Sequence, residues 1–130
     1  MSFGNVRADT LADAVEKLLA KMHESELAAL YEREVSTMPP DAYAAFVESV
    51  FSAFRERGES SEDAAEGAGK TLESIARREN GAEHALLTYA RTNPDVLKEA
   101  TVHFVAQRPE LIAALPASLR DALAERLGKL

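Results

Sequence analysis

Apolar residues recur at three- and four-residue spacing along nearly the whole chain, and no segment of strand length alternates apolar and polar residues. That periodicity constrains the fold more than any other feature. Each apolar stripe covers one face of a helix and has to be buried against another helix. Ala, Leu and Val dominate the apolar residues, aromatics are few and Trp is absent. This mix favours helix over sheet. The expected fold is all-α: a compact, irregular bundle of about six to eight short-to-medium helices.

The breaks between helices are marked by residues with a mechanism. Thr10 with Asp13 reads as a capping box. After it Leu11, Ala14, Val15, Leu18, Leu19 and Met22 share a face. His23-Glu24-Ser25 either interrupts this helix or lies within it. Leu27, Leu30, Tyr31 and Val35 carry the same period to an end near Ser36. Pro39-Pro40 forces a break, because proline has no N–H to continue a helix, and Pro40 and Asp41 suit a first turn. The helix that follows places Tyr43, Phe46, Val47, Val50, Phe51 and Phe54 on one face, and Gly58 ends it. Half of the aromatic residues lie there, so it is expected to centre the core.

Ser60 with Asp63 opens a helix expected to run unbroken to about Arg77, with Asn80-Gly81 as the next stop. A shorter helix spans 83–91. Asn93-Pro94-Asp95 is expected to cap the next one, with Pro94 in its first turn, running to about Gln107. Pro109 opens a brief helix that Pro116 closes. Ser118 with Asp121 caps the last, whose stripe is Leu119, Ala122, Leu123, Leu127 and Leu130. The likeness of Asn93–Leu97 to Arg108–Ile112 is the same helix-start chemistry used twice, since solenoid repeats need longer periods and more copies. No segment divides the chain, so residues 1–130 form one expected domain, with 1–9 a flexible segment.

A chain of 130 residues can bury a core without covalent or metal staples. It has no Cys, which excludes disulfides, thiolate metal sites and thiol catalysis. The charge of −7 is spread over both halves, which repels phosphate backbones and makes nucleic acid a poor partner. No apolar run reaches membrane-spanning length. Met1 to Thr10 has no apolar stretch and carries Arg7 and Asp9, so no secretory signal is expected. A soluble, cytoplasmic protein is expected.

Motifs for chemistry are weak. Gly67-Ala68-Gly69-Lys70-Thr71 resembles the end of a phosphate-binding loop, but the pattern needs glycine where Ala64 stands and a strand before Ser60. On a helix, Glu62, Glu66, Lys70, Glu73 and Arg77 instead form one polar face with two i,i+4 ion pairs. His23, His84 and His103 lie too far apart in sequence for a helical pair. Asp95, Glu99 and His103 are spaced for half a metal site, yet the acids also suit a helix start, so no metal and no cofactor is expected. Ser25, Ser60, Ser61 and Ser118 have capping explanations, and no catalytic residue stands out.

The leading expectation is therefore a non-catalytic protein-interaction module, an adaptor or a homo-oligomer. The small residues Ala64, Ala65, Gly67, Ala68 and Gly69 would permit close helix approach and form the interface of a homodimer. The alternative is a small-molecule-binding regulatory domain. Its apolar pocket would be lined by the 41–57 helix through Tyr43, Phe46, Phe51 and Phe54, the same residues that otherwise serve as core.

Overall fold

The computed structural model describes residues 7–128, and all regular structure in it is helical. Eight α-helices follow in order: α1 (Ala8–Leu19), α2 (Glu24–Glu34), α3 (Pro40–Glu56), α4 (Ser61–Gly67), α5 (Leu72–Ala76), α6 (Ala82–Arg91), α7 (Val96–Gln107) and α8 (Ala117–Gly128). Short 3-10 turns lie at Val35–Thr37, Glu79–Gly81 and Pro109–Ala114. Among the described residues no helix is long and apolar enough to cross a membrane.

One apolar cluster runs from Leu11 on α1 to Leu127 on α8. All six apolar-face residues named on α3 are buried, but α3 does not centre the core alone. Helix α7 packs extensively against both α3 and α1. It buries Val96, Leu97, Ala100, Thr101, Phe104 and Val105, more of its circumference than a surface helix gives up. The buried Tyr31 hydroxyl meets Thr101 Oγ1 at 2.6 Å. Thr101 in turn donates to the Leu97 carbonyl at 2.7 Å, so both hydroxyls are satisfied inside the core.

Several helix ends differ from expectation. Helix α1 begins at Ala8, so Thr10 lies inside it and does not cap it with Asp13, and Ala8 and Asp9 form its first turn. Residues 1–6 and Leu130 lie outside the described residues. Pro94 precedes α7 rather than opening it. Asn93 donates its side-chain amide N–H to the Tyr89 carbonyl at 3.1 Å and so helps close α6, while Asp95 takes the N-cap position of α7 without a side-chain cap bond. Ser118 is likewise within α8 and not its cap.

The first turns of α7 and α8 are met from a distance, by the two ends of α2. Glu24 Oε1 accepts from the Leu97 N–H at 3.0 Å, and the Glu34 carboxylate accepts from the Ala117 N–H at 3.2 Å. Carboxylates are favoured there because first-turn N–H groups have no intrahelical acceptor and the dipole is positive.

The expected single helix from Ser60 to Arg77 is two helices. Gly69 takes φ +74°, and the chain closes α4 with Gly69 N–H to Glu66 O at 2.8 Å and Lys70 N–H to Ala65 O at 2.9 Å. This is the left-handed glycine stop, which satisfies carbonyls that a helix end leaves open. Thr71 then caps α5 by accepting from the Ser74 N–H at 3.1 Å. Glu66 and Lys70 therefore share no continuous helix face, whereas Glu73 and Arg77 form the expected i,i+4 pair at 2.9 Å.

Candidate functional site

The break between α4 and α5 creates the main concave surface. It lets α5 turn back beside α3, leaving a groove of about 630 Å³ between α3, α4 and α5. Tyr43, Val47 and Phe51, four residues apart along α3, form its floor, and Leu72 and Ala76 of α5 form one wall. Ser61 and Glu62 stand at one end and Arg77 and Arg78 at the other. Along the floor, Tyr43 to Phe51 covers about 12 Å at helical rise.

Arg78 is held unusually firmly. Its backbone is left-handed at φ +57°, a region costly to a side chain with a Cβ. Its guanidinium lies 3.9 Å above the Tyr43 ring and donates to the carbonyls of Ser36 at 3.0 Å and Met38 at 2.7 Å. Tyr43 donates its hydroxyl to the Ile75 carbonyl. Burial, followed by the negative charge of Glu83, pushes the Tyr43 phenol up to about 12, against the opposite pull of Arg78. Arg77 is different: it is exposed and occupied by Glu73 and Glu79.

Of the four aromatic residues read as pocket or core, the structure divides the roles. Tyr43 and Phe51 reach the groove. Phe46 is fully buried and stacks on Tyr31 at 4.5 Å, and Phe54 is fully buried and stacks on Tyr89 at 5.3 Å. The sequence stripe placed all four on one face but could not separate floor from interior.

Of the small residues read as an interface, Ala64 and Ala65 are buried within the chain, whereas Gly67 and Gly69 are exposed and Ala68 is half-buried. Ala64 and Ala65 are 0% and 1% exposed, which leaves them no surface to offer a partner. A Cβ on Gly67 would stand 2.6 Å from Tyr89 Cε1, so this glycine exists to admit the tyrosine ring. Ala68 and Gly69 belong to the stop that ends α4. The phosphate-loop resemblance also dissolves here: among the described residues no strand precedes α4, Lys70 reaches toward the Asn80 carbonyl at 3.4 Å, and Thr71 is a helix cap.

A second cleft of about 590 Å³ lies on the opposite side of α3, against α1 and α7. It holds Glu16, Glu56, Asp95, Lys98, Glu99 and His103. The metal spacing of Asp95, Glu99 and His103 does not become a site. Glu99 is bidentate with Arg57, its Oε1 accepting from Nη2 at 2.9 Å, and the pairing raises the guanidinium's affinity for its proton. His103 Nδ1 lies 3.0 Å from Ser49 Oγ. Ser49 donates to the Ala45 carbonyl at 3.0 Å, so its oxygen accepts from an Nδ1–H imidazole. Ser49 is 2% exposed with its proton committed, a poor arrangement for a nucleophile. Sequence reasoning missed this pair, since fifty-four positions separate the two residues. Among the described residues no three His, Asp or Glu side chains converge as a metal group.

Two buried carboxylate oxygens have no hydrogen-bond partner among the described residues, Glu24 Oε2 and Glu83 Oε2. Glu83 Oε1 stands 3.7 Å from His84 Nε2, and His84 Nε2 lies 3.4 Å from Ser36 Oγ.

Comparison of the chain with family models, curated proteins and solved structures gives no match.

Proposed function

We propose that the chain is a non-catalytic helical interaction module whose binding face is the α3–α4–α5 groove. The observation that carries this is the groove's lining: exposed Ala44 and Ala76 and half-buried Leu72 continue the buried floor of Tyr43, Val47 and Phe51 out to the surface. A continuous apolar concavity rimmed by charge is the usual form of a recognition surface. The groove replaces the α4 stripe as the proposed contact, including any contact between two copies of the chain. A cytoplasmic setting and a partner other than nucleic acid complete the proposal, supported by the lack of Cys and the charge of −7.

The test is affinity capture from the native source with the parent and two variants. Ala76→Glu adds a charge to the groove wall, and Ala29→Glu adds the same charge to exposed surface on α2. A partner held by the parent and by Ala29→Glu, lost with Ala76→Glu, and shifting the amide resonances of Leu72 and Ala76 when purified and added back, is the expected result. A partner equally retained by Ala76→Glu overturns the assignment of the face. Light scattering over a concentration series checks self-association in the same way.

A second reading, a small-molecule-binding regulatory domain, is favoured by the groove's dimensions. Its volume lies in the range of ligand sites, roughly 300–1,000 Å³, and it combines an apolar floor with a fixed cation.

A further inference from the structure

We propose that the α3–α4–α5 groove takes an amphipathic monocarboxylate, its apolar chain along Tyr43, Val47 and Phe51 and its carboxylate at Arg78. This inference rests on the ligand reading of the groove.

The apolar half of the argument is the lining. Beside the floor, Leu72 and Ala76 supply a second apolar side, so a hydrocarbon chain lying along α3 meets carbon on two sides. The length of the floor, about 12 Å, suits a medium-length chain better than a compact ring.

The polar half is Arg78. Several arginines of this protein are taken up by carboxylates: Arg55 by Glu48, Arg57 by Glu99, Arg77 by Glu73, Arg108 by Glu110. Among the described residues no carboxylate comes within 4 Å of the Arg78 guanidinium, although acidic residues outnumber basic ones by 22 to 15. Glu83 faces Tyr43 from α6 but forms no ion pair with Arg78. The Ser36 and Met38 carbonyls use two N–H donors of the guanidinium and fix its plane against the Tyr43 ring. An arginine has five such donors, so donors remain for a ligand. A planar, pre-oriented guanidinium with spare donors matches a carboxylate better than a flexible ammonium would. The restraint also lowers the ordering cost of binding.

Charge fixes the direction. Glu62 lines the groove at the start of α4 and forms no ion pair among the described residues, so an anion placed there would be repelled, whereas the nearby Glu48 is already paired with Arg55. The head group therefore sits at the Tyr43–Arg78 end and the tail runs toward Phe51. The overall charge of −7 opposes any anion, but at physiological salt that field is screened beyond about 8 Å, and Arg78 acts within contact distance.

The experiment titrates octanoate, octanol and octylamine into isotope-labelled protein and follows the amide resonances of Val47, Phe51, Leu72 and Ala76. Octanoate is expected to saturate these shifts about tenfold more tightly than octanol, the gain of a charge-assisted hydrogen bond over a neutral one, with octylamine weakest. Arg78→Gln brings octanoate down to the octanol level, and Arg78→Lys restores part of the difference. Arg78 also tethers the Ser36–Met38 turn, so a second variant leaves it in place: Leu72→Glu sets an acid in the wall and weakens octanoate more than octanol. Equal binding of octanoate and octanol in the parent overturns the carboxylate inference while leaving the groove as a ligand site. Preference for octylamine overturns it in favour of the Glu62 end. Shifts absent from these residues with all three probes overturn both the inference and the ligand reading.

Discussion

Gly67 on α4 and Tyr89 on α6 are in contact that only glycine permits: a Cβ at residue 67 would lie 2.6 Å from Tyr89 Cε1 and 2.8 Å from its hydroxyl oxygen. The ring also stacks on Phe54, and its hydroxyl donates to the Glu59 carboxylate at 2.9 Å; both contacts restrain its retreat. Gly67→Ala should gain about 1 kcal/mol of helix propensity and lose about 1–3 kcal/mol to overpacking. A net destabilisation is expected in urea unfolding. In a Tyr89→Ala background the same change should become stabilising, because only the propensity gain remains. A Gly67→Ala effect with the same sign in both backgrounds would show that the ring is not the obstacle.

Phe46 and Phe51 lie on the same stripe of α3 but face different surroundings. Phe46 is enclosed and stacked on Tyr31, whereas Phe51 floors the open groove. Phe46→Ala should cost about 3–5 kcal/mol, the usual loss for emptying an enclosed phenylalanine site. Phe51→Ala should cost less, because solvent can fill part of the space it leaves. Parallel denaturant titrations check the order, and a larger loss at Phe51 would contradict the groove.

The Glu24 carboxyl is pushed above its ordinary range chiefly by burial, against the opposing hydrogen bond from the Leu97 N–H. The folded chain thus holds this proton at pH values where the unfolded chain has released it. The resulting stability is present below the unfolded value, about 4.3, and is lost as pH rises through the higher folded one. Glu24→Gln keeps an oxygen to accept from Leu97 and removes the ionisation. The stability of the variant relative to the parent should therefore rise between about pH 4 and pH 7. A difference that stays constant with pH would mean that Glu24 ionises equally in both states.

The legibility of the fold follows from the range of the interactions. Breaks at Pro39-Pro40, Gly58, Asn80-Gly81 and Pro109 were readable because the residue itself forbids or terminates a helix. The break at Gly69 was hidden by a polar stripe, Glu62 to Arg77, that continues the helical period across it. The local signal was nonetheless present: a glycine that can end a helix, two residues before a threonine that can begin one. Glu24 and Glu34 could not be read as caps, since their acceptor roles depend on helices 73 and 83 positions away. The groove was half legible. Tyr43 and Phe51 follow from periodicity, but Arg78 owes its place to a left-handed backbone that its residue type disfavours.

The three tyrosines give a test of the whole core, because all are harder to ionise than a free phenol. Burial holds the Tyr31 proton well above the ordinary range, although Thr101 opposes it slightly. Burial and Glu83 push Tyr43 up to about 12. For Tyr89 the bond to Glu59 is the first cause, followed by burial. Each folded phenol keeps its proton while the unfolded chain releases its own near pH 10, so this stability is complete below about pH 10 and is lost as pH rises toward the folded values. The tyrosinate absorbance band of Tyr31 and Tyr43 should not grow gradually there. It should appear together with loss of the helical circular dichroism, and Tyr89, the least buried, should ionise first. Tyr31→Phe removes the most strongly held phenol and its bond to Thr101. That should cost about 0.5–1.5 kcal/mol at neutral pH and yet shift the alkaline transition upward relative to the variant's own neutral stability. Gradual ionisation of all three tyrosines near pH 10, with the helical signal unchanged, would contradict the burial of Tyr31 against α7.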